Sequence, residues 1–226
     1  MEVIDIETKF KDLVFKDKKA SELRKLIQNG GSFEDVEEYA KRLAELVGDA
    51  MKGLPDGTDI VPFIKRLGEI QRKYINNAAA FIQNAMNKEL GMELNALTVK
   101  STQEVALKAL EKKDTTGMTF NEVIDSIINQ QITQNLKQVD SFIRTNASFQ
   151  SRSGLKVKVS RYYDDVGLRN RTQKCAWCLE RCGVEVPYAE AVNMGMFERH
   201  EGCGCKIVYK SERTSYQTKK GAWKYE

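Results

Sequence analysis

Histidine is nearly absent from this chain: His200 is the only one in 226 residues. A histidine-metal nuclease of the ββα type needs one histidine as base and usually another on the metal, and one residue cannot do both. Apolar runs are short, and none approaches the roughly 18 residues of a membrane-spanning helix. The opening residues, Met1-Glu-Val-Ile-Asp-Ile-Glu7, are acidic and lack the basic flank and apolar stretch of a signal peptide, so synthesis in the cytoplasm is expected. No glycine loop with a lysine is present to cradle phosphate, and no Gly-x-Ser-x-Gly. There is no internal repeat and no low-complexity tract. Asp164-Asp165 could take a hard cation, but an isolated carboxylate pair usually marks a turn or a helix start. Cysteine is missing until residue 175, and then five occur close together: Cys175, Cys178, Cys182, Cys203 and Cys205. An odd number packed into one window argues against a disulfide framework and for a metal.

What is present is a ligand cluster. Cys175-Ala-Trp-Cys178 is followed by His200-Glu-Gly-Cys203-Gly-Cys205. A CxxC turn can point two sulfurs at one ion, and a second short segment supplies the rest. Six residues could bind: Cys175, Cys178, Cys182, His200, Cys203 and Cys205. Cys175 and Cys178 are the firmest. In an extended segment Cys203 and Cys205 face the same way, so both could reach the ion and leave His200 outside. Alternatively, His200 and one cysteine complete a Cys3His site. Cys182 reads as a small buried residue or bystander. Because candidates exceed four and thiolates dominate, the site reads as closed: one structural Zn2+ per chain, with no catalytic residue and no enzyme activity. A nucleophilic cysteine would need a free histidine nearby.

The fold class expected is α+β, a mainly helical N-terminal body with a small zinc-stabilised β-containing C-terminal module. Residues 1–150 form the helical domain, a body for docking or assembly; 151–210 form the zinc-binding β-rich module, too thin to hold its own core; 211–226 form a basic polar tail, disordered or paired with a partner. Ser32-Phe-Glu-Asp35 opens a helix running to about Met51. A long helix starts near Val61, with Pro62 in its first turn and Ile64, Leu67, Ile70, Tyr74, Ala78, Ile82 and Ala85 on one stripe, and ends near Gly91. A shorter helix is expected over about Thr102–Lys112. Thr119-Phe-Asn-Glu122 matches a capping box, with Met118 and Val123 placed to staple it. The helix it opens carries Ile124, Ile128, Ile132, Leu136, Val139 and Ile143 on its apolar face, and a Gln/Asn-rich face that reads as solvated. Leu155–Ser160 and Lys206–Tyr209 are strand candidates. Charge is uneven: residues 1–150 carry 21 basic and 23 acidic side chains, net −2, while 151–226 carry 15 and 9, net +6. That excess permits contact with nucleic acid or an acidic protein surface.

Three stretches in order carry a family resemblance. They are Val139-Asp-Ser-Phe-Ile-Arg-Thr-Asn-Ala-Ser-Phe-Gln150 with Ser153-Gly-Leu155; Val159-Ser-Arg161 leading into Cys175-Ala-Trp-Cys178 and Gly183; and Met196-Phe-Glu-Arg-His-Glu-Gly-Cys-Gly-Cys205 with Ile207-Val-Tyr209. Together they resemble the minor head (minor capsid) proteins of tailed bacteriophages and prophages, related to the Mu F-like head morphogenesis group. The likeness covers roughly 61–226 and is sharpest after Val139. Gly204 and Glu198 stand where such proteins usually have arginine, and Cys182 has no counterpart. The resemblance carries over Cys175, Cys178, His200, Cys203 and Cys205 as the zinc cluster. It implies a low-copy structural protein of the virion head, present in host cytoplasm during assembly. Its implied partners are the portal or the major capsid protein, with packaged DNA within reach of the basic C-terminal third, and no membrane. Two other readings stand beside it: a zinc-ribbon-like nucleic-acid-binding protein, and a zinc-dependent nuclease or toxin-like enzyme.

Overall fold

The structure, a computed structural model, describes residues 3–52, 54–99, 117–162, 175–200, 203–213, 215–217 and 223–225. Among the described residues five helices come first: α1 (Val3–Lys16), α2 (Lys18–Gln28), α3 (Phe33–Met51), α4 (Val61–Glu89) and α5 (Phe120–Arg152). Then follow β1 (Leu155–Tyr162), a short α6 (Ala176–Leu179), β2 (Glu185–Pro187), α7 (Tyr188–Asn193), β3 (Lys206–Arg213), β4 (Ser215–Gln217) and β5 (Trp223–Tyr225). The protein is mainly helical, with a small antiparallel sheet near the C-terminus, as the sequence led us to expect. The helix expected over 102–112 and the Asp164-Asp165 pair lie outside the described residues. None of the described helices is long and apolar enough to cross a membrane.

Local chemistry sets the helix starts. The Asp35 carboxylate accepts from both the backbone N–H (2.7 Å) and the hydroxyl (2.9 Å) of Ser32 at the head of α3. At α5 the expected capping box forms: Glu122 accepts from Thr119 N at 2.8 Å, and Thr119 Oγ1 accepts from Glu122 N at 3.4 Å. Asp17 caps α2 through Ala20 N and is held by Arg42 of α3 at 2.7 Å, which lowers its carboxyl below the usual range. Glu7 ties α1 to Arg66 of α4 at 2.6 Å; that hydrogen bond, with one from Lys11, holds its carboxyl near 2.

α3 and α5 approach closely at Gly48, where an added Cβ would run into the Ile128 side chain. The face of α5 rich in Gln and Asn is not solvated. Gln131, Asn135, Gln138, Asn146 and Gln150 are all buried. Their partners explain it. Asn135 donates to Gln71 Oε1 (2.6 Å) and Ala40 O (2.9 Å), and Gln71 donates to Gln131 Oε1 (3.2 Å). Gln138 reaches Asn76, and Gln150 reaches Asn87. Asn146 exchanges two bonds with the backbone of Leu97, pinning the extended chain that follows α4. Burying an amide is costly unless its hydrogen bonds are made; these five find partners on α3, α4 and the chain after α4, whereas among the described residues Gln130 Oε1 and Gln134 Oε1 of α5 are buried without one.

The sheet has the order β2-β1-β3, antiparallel throughout, with Val159 opposite Tyr209 and Arg161 opposite Ile207. Its inward side chains, Val157, Val159, Ile207 and Tyr209, belong to the same core as the helices. Tyr209 packs on Phe33 of α3 and donates its hydroxyl to Gln83 of α4 at 2.6 Å. The inner face of the sheet is therefore part of the helices' core. Residues expected in the tail also take part. Ser211 pairs with Val157 in β3, and β4 pairs with β5.

Candidate metal centre

Alternation along β1 puts Val157, Val159 and then Arg161 on the inner face. Running back from Tyr209 and Ile207, the same parity brings Cys205 and Cys203 inward, each 2% exposed. The first knuckle closes as a helical turn. Leu179 N bonds Cys175 O, Arg181 N bonds Cys178 O, and Gly183, at φ 80°, returns its N–H to Arg161 O at 2.9 Å. Cys178 is thereby buried beside Cys203, with the sulfurs 3.6 Å apart. His200 Nε2 lies 3.1 Å from Cys178 Sγ, and its ring meets Trp177 edge-on at 5.8 Å.

All five sequence-predicted ligands come together. Cys175, Cys178 and His200 hold their donor atoms within 4.8 Å of one another, and so do Cys178, Cys203 and Cys205. Cys182 lies at the edge, its sulfur 3.8 Å from that of Cys205. All five cysteines are free thiols. Burial pushes the Cys178 thiol up to about 11 and raises Cys182, while hydrogen bonding with Cys205 and then burial raise Cys203. Without a cation these groups hold their protons, and a bound cation displaces them. The cluster can bind a metal ion, and its soft donors fit a thiophilic one.

Two arginines brace the cluster. Arg161 is fully buried. It donates to Met196 O (2.6 Å), Glu198 O (2.8 Å) and Cys203 Sγ (3.1 Å). Among the described residues, its acceptors are these two carbonyls and one sulfur. Arg199 crosses to the helical body. It bonds Asp140 of α5, with one of the two contacts at 2.9 Å, and Glu37 of α3 at 2.7 Å; it also reaches Cys203 O at 3.4 Å. Two acids around one guanidinium titrate as a pair. Burial raises both, Glu37 to about 7, and Arg199 offsets only part of that. Trp177 is covered by the Arg181 guanidinium at 4.2 Å and that of Arg161 at 5.0 Å.

Sequence reasoning missed the role of Glu37, Asp140, Arg161 and Arg199. Three of them left a signal: Glu37 and Asp140 are acids inside apolar helical stripes, and Arg161 continues the period-two pattern of Val157 and Val159. No protein-family model, curated protein or solved structure matches the chain.

Proposed function

We propose that this is a non-enzymatic structural protein with a zinc centre, acting as a minor head protein in the assembly of a tailed phage or prophage head. The observation that carries the zinc reading is the convergence of Cys175, Cys178, His200, Cys203 and Cys205 from segments far apart in sequence. Thiolates with one imidazole are a usual structural zinc set. The centre would fix the two loops at the end of the sheet, and Arg199 would carry that order into α3 and α5. The head-protein reading rests on the three ordered stretches that resemble such proteins. A helical body offers long faces for docking on the portal or the inner capsid. A rigid corner sealed by metal suits a part that must keep its shape during assembly.

The nucleic-acid reading draws on the basic C-terminal third. Two of the sheet lysines, Lys158 and Lys210, are already held by Glu185 at 3.2 and 2.9 Å, which weakens it. Quantitative mass spectrometry of DNA-filled particles and proheads from the source strain tests the assignment. A few copies per particle, relative to portal, are expected. Absence from both would overturn it, and steeply salt-dependent DNA binding would then favour the alternative.

A further inference from the structure

The helical body holds a cavity of about 240 Å³ between α2, α3 and α4, and no metal-ligand candidate lines it. Arg24 and Ile27 of α2 face it from one side; Tyr74, Ala78 and Phe81 of α4 face it from the other, each set on one helix face by its spacing. Tyr39 of α3 also lines it and is 2% exposed, whereas Phe81 is 53% exposed. Two polar groups there are left unsatisfied. Arg24 is the one charged side chain on the wall, and among the described residues no carboxylate pairs with it. Its guanidinium reaches Val14 O at 3.5 Å, the outer limit of a hydrogen bond. Burial pushes the Tyr39 phenol up to about 12, while Arg24 draws it down and Tyr74 draws it up, so both lie near it. Among the described residues the Tyr39 hydroxyl has no hydrogen-bond partner, yet it is not sealed off, so the cavity is what it faces. A buried donor without a partner calls for an explanation, and an apolar cavity with a few convergent polar groups is the form of a ligand site.

We infer that this cavity binds a small aromatic carboxylate, its ring against Ile27, Ala78 and Phe81 and its carboxylate accepting from the Arg24 guanidinium and the Tyr39 hydroxyl. Charge selects the anion. The wall offers one cation and a phenol that keeps its proton at neutral pH, both donors, and charge-assisted bonds to a carboxylate are the strong ones. Volume selects the size. A cavity of about 150 Å³ holds benzene, so this one has room for a ring and a short acid arm. It is smaller than the roughly 300–1,000 Å³ that drug-sized ligands occupy. The site belongs to the helical body alone and stands apart from the zinc and head-protein readings.

The test titrates the full chain, carbon-13-labelled at isoleucine and alanine methyls, with 3-phenylpropionate and follows it by methyl NMR. The Ile27 and Ala78 signals should shift together with a dissociation constant below about 1 mM. The uncharged analogue 3-phenylpropionamide should bind about tenfold more weakly, the loss of one charge-assisted bond. Arg24→Met should erase that preference for the acid. Ala78→Leu, which fills the cavity, should abolish binding of both probes while the core methyl of Ile143 keeps its position, showing that the variant is folded. No shift at Ile27 and Ala78 up to about 10 mM probe, or shifts confined to residues elsewhere, would overturn the site. Equal binding of acid and amide by the wild type would overturn the carboxylate assignment.

Discussion

Replacing Arg199 with methionine removes the guanidinium between two buried acids, Glu37 and Asp140, both about 1% exposed. In the wild type, one acid can stay neutral near pH 7 while Arg199 balances the other. In the variant both must be neutral to remain buried. An aspartate with an ordinary value of 3.8 is held protonated at a cost of about 1.4 kcal/mol per pH unit above that value. The ceiling is therefore about 4 kcal/mol at pH 7 and about 3 kcal/mol at pH 6, in line with the roughly 3–5 kcal/mol of a broken buried pair. The sign follows from the raised folded value: the variant's folded state binds an extra proton, so its deficit is smallest in acid and grows as pH rises. Urea unfolding of metal-loaded protein, followed by circular dichroism at pH 6, 7 and 8, reads this directly. We expect a loss of about 3 kcal/mol at pH 7 that deepens towards pH 8, and recovery of at least half of it when Glu37→Gln and Asp140→Asn are added. A loss under about 1 kcal/mol, or one that does not change with pH, would refute the reasoning.

Other consequences are as definite. Cys178→Ser, which removes the sulfur common to both trios, should abolish metal binding measured by elemental analysis, whereas Trp177→Ala should keep the metal but cost about 1 kcal/mol through the lost guanidinium contacts. Asn135→Leu leaves Gln71 Oε1 without its donor, while Ala40 O keeps its bond within α3, and should cost about 1–3 kcal/mol by chemical denaturation. Chelation should strip hydrogen-exchange protection from the 175–182 and 203–205 segments first, while the amides of α3 and α5, which lie in the shared core, keep theirs.

Much of the fold was legible because its signals are local. The Thr119–Glu122 capping box, the apolar stripe from Ile64 to Ile82 and the alternation after Leu155 each need only a short stretch of chain. The ligand cluster was legible for the same reason, since CxxC and His-x-x-Cys-x-Cys spacings carry their own chemistry. What escaped depends on partners distant in sequence. The Gln and Asn residues of α5 look solvated until Gln71, Asn76 and Asn87 of α4 are placed opposite them. Arg199 joins acids 59 and 162 positions away, and nothing near it in the sequence marks it as buried. The sheet's dependence on the helical core also hinged on a long-range contact, that of Tyr209 with Phe33 and Gln83.

The most direct measurement is X-ray absorption at the zinc edge on protein purified under reductant without added metal. A four-coordinate shell dominated by sulfur at about 2.3 Å, with a minor nitrogen contribution from His200, is the predicted spectrum. Protein with no bound zinc, or zinc in a six-coordinate oxygen and nitrogen shell, would contradict a thiolate-rich centre drawn from Cys175, Cys178, His200, Cys203 and Cys205.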